Sequence, residues 1–250
     1  MLFNSVEFIF CFLPVTCFVF FYLNRLKLNE LSKLWLLACS LFFYGWANPI
    51  YLLLLTTSIA VNFYCAKQTA SQKKLLVKKF FLISGLVFNI GLLLYFKYVD
   101  FFIENFNALA QTNFNLLHVI LPLGISFYTF QQIAFLVDSF RGEVNEFNLL
   151  HYSVFVTFFP QLLSGPIVHH KVIMPQLVDP QLATPRSENI VKAVFLFQIG
   201  LAKKIIIADS FGKLVNRGYL NVESLDTIQA WITAFAYSVQ LYFDFSGYAD

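Results

Sequence analysis

Near the end of the chain an aspartate sits inside an uncharged run, Gln240-Leu-Tyr-Phe-Asp-Phe-Ser-Gly-Tyr-Ala249. At 100° per residue, a helix brings Tyr237, Gln240, Asp244 and Tyr248 onto one face, within an arc of about 80°. Phe235, Val239, Leu241 and Phe245 surround the opposite side. A second stripe runs through 121–138, where Gly124, Tyr128, Gln131, Phe135 and Asp138 share a face. A carboxylate at membrane depth is costly unless it is paired or wet, so stripes of this kind turn toward protein or water rather than lipid. Two roles suit them: a hydrogen-bonded staple between helices, or the lining of a substrate path. Residue types alone leave both open.

The four histidines offer less. His118 and His151 read as residues near helix starts, and His169-His170 follow Gly165-Pro166 at a helix exit. Adjacent histidines on a helix point different ways and lack the i, i+4 spacing of a helical zinc pair, so no metal site is expected. Contact with an anionic headgroup or substrate is the lesser alternative for that pair. The cysteines Cys11, Cys17, Cys39 and Cys65 all lie in apolar runs without a C-x-x-C, and read as small packing residues. The chain carries no G-x-S-x-G elbow, phosphate-binding glycine loop or H-E-x-x-H motif.

Composition decides what must position these residues. Of 250 residues, 58% are hydrophobic and only 12% charged, about half the charge of a soluble domain. So few polar side chains cannot cover a particle of this size, and the 32 Phe and 12 Tyr exceed what a water-soluble core needs. The expected class is an all-α, polytopic integral membrane protein, with the lipid bilayer as solvent. A net charge of +3 without a basic-aromatic arm gives no sign of nucleic acid as a partner. The first apolar run has Glu7 ahead of it and no Lys or Arg, which argues for a retained span over a cleaved signal.

Charge-free runs predict spans over 8–23, 35–46, 50–66, 80–96, 119–137, 147–163, 193–208 and 227–248. The 33 uncharged residues from Leu34 to Ala66 are too many for one upright crossing, and Asn48-Pro49 predicts a hairpin turn within them. That hairpin returns the chain to one side, so the basic segments 24–33 and 67–79 share a compartment, cytoplasmic by the positive-inside rule. The segment around 100–115 is then external. Beyond residue 110 the apolar runs are short and broken, which predicts re-entrant or short helices around an internal cavity. Residues 171–190 are expected to form a polar loop.

Several stretches carry a resemblance. Met1-Leu-Phe-Asn-Ser-Val-Glu-Phe-Ile-Phe followed by Leu13-Pro14, Leu121-Pro-Leu-Gly-Ile-Ser-Phe-Tyr-Thr-Phe-Gln131, Phe159-Pro-Gln161 with Ser164-Gly-Pro-Ile167, Met174-Pro-Gln-Leu177, and Gln240 to Asp250 resemble bacterial membrane-bound O-acyltransferases of the alginate O-acetylase type. The likeness runs over the whole chain. It implies short and re-entrant helices around a central funnel in the inner (cytoplasmic) membrane. It also implies transfer of an acyl group from a donor such as acetyl-CoA, with no bound cofactor, to an exported polysaccharide such as alginate or to a periplasmic acetyl-carrier protein. Tyr128, Gln131, Asp244, Ser246 and Tyr248 are the expected lining of the path. The family's catalytic histidine belongs to a segment expected beyond Asp250, so residues 1–250 alone are expected to be inactive. The alternative is a multi-span transporter that handles coupling ions through Asp138 and Asp244.

Overall fold

A computed structural model describes the chain except for residues 2, 47, 145, 163–168, 180–183 and 250. The described residues are helical or irregular, without strands. They fall into two compact units, Met1–Thr184 and Pro185–Asp250. The expected all-α class is what is found. Ser164-Gly165-Pro166-Ile167 and Asp250, which belong to the quoted motifs, lie outside the described residues.

The first unit opens with a π-helical turn at Phe8–Phe12 that runs into α1 (Leu13–Arg25). Lys27, with φ of 58°, turns the chain into α2 (Asn29–Gly45). The side chain of Asn48 then accepts a hydrogen bond from Ile50 N (3.0 Å), and α3 (Ile50–Ser71) begins directly after Pro49. The uncharged run is thus broken where the proline predicts. α4 (Leu75–Leu93), a π turn at Leu94–Tyr98 and α5 (Val99–Ala110) form one continuous rod. The segment around 100–115, expected as an external connection, is therefore helical for most of its length. Among the described residues, three helical stretches, Phe8–Arg25, Ile50–Ser71 and Leu75–Ala110, are long and apolar enough to cross a membrane.

Their surfaces fit lipid. Phe10, Ile50, Leu53 and Leu76 are each more than 70% exposed, and side chains of this kind outside a core need an apolar solvent.

The remainder of the unit is shorter. The apolar segment over 119–137 becomes helical only at Ile125, because Pro122 and the left-handed Gly124 (φ 70°) precede α6 (Ile125–Arg141). His118, expected near a helix start, sits in the irregular stretch before it with φ of 47°. α7 (Leu149–Thr157) is capped by the Asn148 side chain, which accepts from Leu150 N and His151 N. Then follow α8 (Phe159–Leu162) and α9 (His170–Val178), which replaces part of the polar loop expected over 171–190. α3, α4 and α6 pack mutually, α1 lies on α2, and α7 lies on α2 and α9. Phe12, Phe43 and Phe159 interlock with ring centroids 5.2 to 5.8 Å apart, pinning the start of α8 against α1 and α2.

The second unit holds α10 (Ser187–Ala202), a π-helical segment at Lys203–Ala208, α11 (Asp209–Leu220) and α12 (Thr227–Ala249). α12 packs along α11 and the π segment. The approach is close enough that a Cβ on Gly247 would stand 2.7 Å from the Gly200 carbonyl oxygen, so only glycine fits.

Candidate functional site

The stripe on α6 is buried as its spacing predicts. Tyr128 and Phe135 are fully inaccessible, and Gln131 and Asp138 nearly so. Gln131 Oε1 makes no hydrogen bond. Tyr44, from α2, brings its hydroxyl against that of Tyr128 in the same core. A polar atom left without a partner inside a helical core carries an uncompensated desolvation cost.

Sequence reasoning missed the fully paired group beside them. Asn62 on α3 and Asn89 on α4 exchange side-chain hydrogen bonds, and Asn62 also donates to the Ser58 carbonyl (2.9 Å). Gln132 on α6 donates to Ser58 Oγ (3.0 Å), and the Tyr152 hydroxyl on α7 donates to Gln132 Oε1 (3.3 Å). The network fastens four helices through neutral amides and hydroxyls, all inaccessible. Its signal was present as lone Asn and Gln residues inside charge-free runs, which in hydrocarbon demand partners.

The end of α6 gathers ionisable groups. Gly142 (φ 78°) closes the helix in a Schellman turn in which Glu143 N donates to the Asp138 carbonyl (2.9 Å). Asp138 then meets both adjacent histidines: its Oδ2 lies 3.2 Å from His169 Nε2 and 3.3 Å from His170 Nδ1. The expectation that neighbouring histidines diverge fails, because His169 is extended (ψ 142°) and only His170 is helical. Burial pushes His170 below the usual imidazole range, with Asp138 pulling the other way. Beside it, Lys171 binds the Glu143 carboxylate and holds its pKa down. A groove of about 630 Å³, lined by Glu143, Glu146, His170, Lys171 and Met174, opens next to this cluster.

A basic cluster marks the same end of the unit. Lys78, from the segment predicted to be cytoplasmic, sits 4.9 Å over the Phe140 ring near the end of α6. Lys33, from the other basic segment, contacts His151 Nε2 at 2.9 Å and Glu30 at 2.8 Å. α9 packs on α7, so the chain leaves His151 and by His169 is back beside the same helix.

In the second unit, Asp244 is ion-paired. Lys204 Nζ lies 2.7 Å from its Oδ1 and 3.1 Å from Asp209, while Lys203 donates to Ser246 Oγ (3.0 Å). The π turn at Lys203–Ala208 carries Lys203 and Lys204 onto the α12 side. Gln240 packs over Gly212 with its Oε1 unbonded. The stripe is only partly inward within this unit: Asp244, Ser246 and Tyr248 are half-buried, whereas Tyr237 is 45% exposed and stacks edge-on with Tyr219. Phe235, Leu241 and Phe245 lie on the exposed side. The site residues expected from sequence therefore divide into Tyr128 and Gln131 in one unit and Asp244, Ser246 and Tyr248 in the other.

No family model matches the chain. Individual proteins do. A peptidoglycan O-acetyltransferase from Helicobacter pylori is 44% identical over 276 aligned positions, which take in all of this chain and 52% of that protein. A probable alginate O-acetylase AlgI from Pseudomonas aeruginosa is 34% identical over 256 positions, again all of this chain and 48% of the relative. A teichoic acid D-alanyltransferase from Lacticaseibacillus rhamnosus is 26% identical over 138 positions, covering 51% of this chain and 33% of that protein. The chain spans about half the length of the O-acetyltransferases it matches.

Proposed function

We propose that the chain belongs to the membrane-bound O-acyltransferases and serves O-acetylation of an exported cell-surface polysaccharide. The observation that carries this reading is similarity over the whole of this chain to a protein named for the activity, at 44% identity. Identity to the peptidoglycan enzyme exceeds that to the alginate enzymes, which favours peptidoglycan as the acceptor. The donor is an activated acetyl group, such as acetyl-CoA, presented at the cytoplasmic face of the inner membrane. The basic segments around Lys33 and Lys78 favour that face for the end of the first unit they mark.

The chain's own residues contribute walls and anchors. Gln131 keeps its amide oxygen unbonded inside an apolar core, as a group that meets a polar substrate would, beside the paired hydroxyls of Tyr44 and Tyr128. Asp244, Ser246 and Tyr248 lie along α12, with Asp244 neutralised by Lys204. A water-poor path lined this way would protect the activated acetyl group from hydrolysis. A periplasmic acetyl-carrier protein is a further candidate acceptor. The transporter reading of Asp138 and Asp244 draws no support from the relatives or from an aspartate already paired with lysine.

The test is chemical. Deleting the gene that encodes the chain should remove O-acetyl esters from muropeptides, read by mass spectrometry, and re-expression should restore them. Unchanged muropeptide acetylation together with loss of acetyl from another glycan would move the acceptor. Unchanged acetylation of every surface glycan would overturn the reading. A Gln131→Leu variant with wild-type yield and wild-type acetylation would remove that residue from the path.

A further inference from the structure

We propose that Asp138, His169 and His170 form a binding site for a divalent transition-metal ion of the zinc class. The inference is independent of the acyl-transfer reading and rests on geometry. One ligand atom from each residue lies within 4.8 Å of the other two. Ligands held about 2.0–2.1 Å from a tetrahedral zinc are separated from one another by about 3.3–3.4 Å. The two contacts of Asp138 Oδ2, 3.2 Å to His169 Nε2 and 3.3 Å to His170 Nδ1, are close to that edge length.

A simple hydrogen-bonded cluster explains the arrangement less well. Asp138 is buried, with 5% of its side chain accessible, yet Oδ2 accepts no hydrogen bond of acceptable geometry from either ring. A buried carboxylate oxygen in that state carries an unmet desolvation cost. A cation between the three residues would meet it, and each neutral imidazole would turn a lone pair rather than an N–H toward the centre.

The surroundings hold the ligands in place. The Schellman turn at Gly142 fixes the end of α6 beneath Asp138. The Phe135 ring stands edge-on to His170 at 5.3 Å and 86°, limiting rotation of the imidazole. His169 is extended and His170 begins α9, so two consecutive side chains converge as two residues of one helix could not. The His169 side chain is 47% accessible, so a water or an exchangeable fourth ligand can reach the site. Three protein ligands and one accessible position are the pattern of an open site. Because the ligands come from the end of α6 and the start of α9, the ion would clip these two helix ends together.

The experiment uses tag-free protein in detergent, stripped with a chelator and titrated with Co2+ and then with Zn2+ against a chromophoric chelator. One equivalent of Co2+ should bind per chain with the strong visible absorption of tetrahedral coordination, and Zn2+ should displace it. His169→Ala and His170→Ala should each weaken Zn2+ binding by about a hundredfold or more, since even the loss of an outer-shell partner costs tenfold to a hundredfold. His118→Ala should leave it unchanged. His169→Gln keeps a polar side chain at a half-exposed position and guards against simple misfolding of the alanine variants. Wild-type protein that takes up no Co2+ or Zn2+, or a folded His169→Gln/His170→Gln protein that binds them as tightly as wild type, would overturn the proposal.

Discussion

The two units solve the same problem, polar groups in an apolar setting, with different chemistry. In the first, Ser58, Asn62, Asn89, Gln132 and Tyr152 satisfy one another without a formal charge and without access to solvent. In the second, Lys204 joins Asp209 and Asp244 as full charges, each of them roughly one-third to one-half exposed. Neutral amides can be sealed because their desolvation is repaid by a few direct bonds, whereas charges keep part of their hydration. The closed region is thus built for rigidity, and the ionic region lies where polar matter has access.

That contrast can be broken most sharply at Asn62. Replacing Asn62 with Leu strands the Asn89 amide in a dry core and should cost about 2–3 kcal/mol, read as a fall in melting temperature in detergent. Asn62→Leu/Asn89→Leu should cost less than the sum of the single changes. Additive losses would mean that the two amides are not coupled. Next in size is Gly247→Ala, whose methyl would meet the Gly200 carbonyl at 2.7 Å. Overpacking against backbone should cost about 1–3 kcal/mol, and a neutral result in the same assay would refute the close approach of α12.

The ionic side should respond more mildly. Asp244→Asn is expected to cost about 1 kcal/mol, because Lys204 keeps Asp209 and partial exposure screens the pair. Lys204→Met/Asp244→Leu should recover much of that loss. A loss from Asp244→Asn as large as that from Asn62→Leu would erase the distinction between the regions. The smallest effect is set by pH at Glu30, whose carboxyl Lys33 holds below the usual range. A depressed carboxylate contributes stability above its unfolded-state pKa and loses it as pH falls through the folded-state value. Glu30→Gln should therefore lower stability by roughly 0.3–0.5 kcal/mol at neutral pH and by nothing below about pH 3.

Much of this was legible in the sequence. The helical class followed from composition, the hairpin turn from Asn48-Pro49, and the buried stripe of Tyr128, Gln131, Phe135 and Asp138 from a 3.6-residue period. Tyr237 broke the second stripe because periodicity places residues on a face but does not say how far the neighbouring helix extends. The Asn62–Asn89 pair escaped because its members are 27 residues apart and each looked alone. The meeting of His169 and His170 on Asp138 depends on a change of backbone conformation between consecutive residues, which no helical wheel represents. Lys204 was invisible as a partner for Asp244 for a related reason, since a π turn shifts the register on which such wheels rely.

The rod from Leu75 to Ala110 has a consequence of its own. Its 36 residues span roughly 54 Å at 1.5 Å each, against a hydrocarbon layer of about 30 Å. Even a lean of about 40°, the upper end of what such helices adopt, leaves a vertical reach of roughly 41 Å. At least one end must stand clear of the oil by about two helical turns. With Lys73, Lys74, Lys78 and Lys79 gathered at its start, the natural mast is the far end, where Asp100 receives Leu117 N and Asn107 holds Phe114. That end of the first unit therefore carries its helix beyond the oil and into the polar headgroup layer.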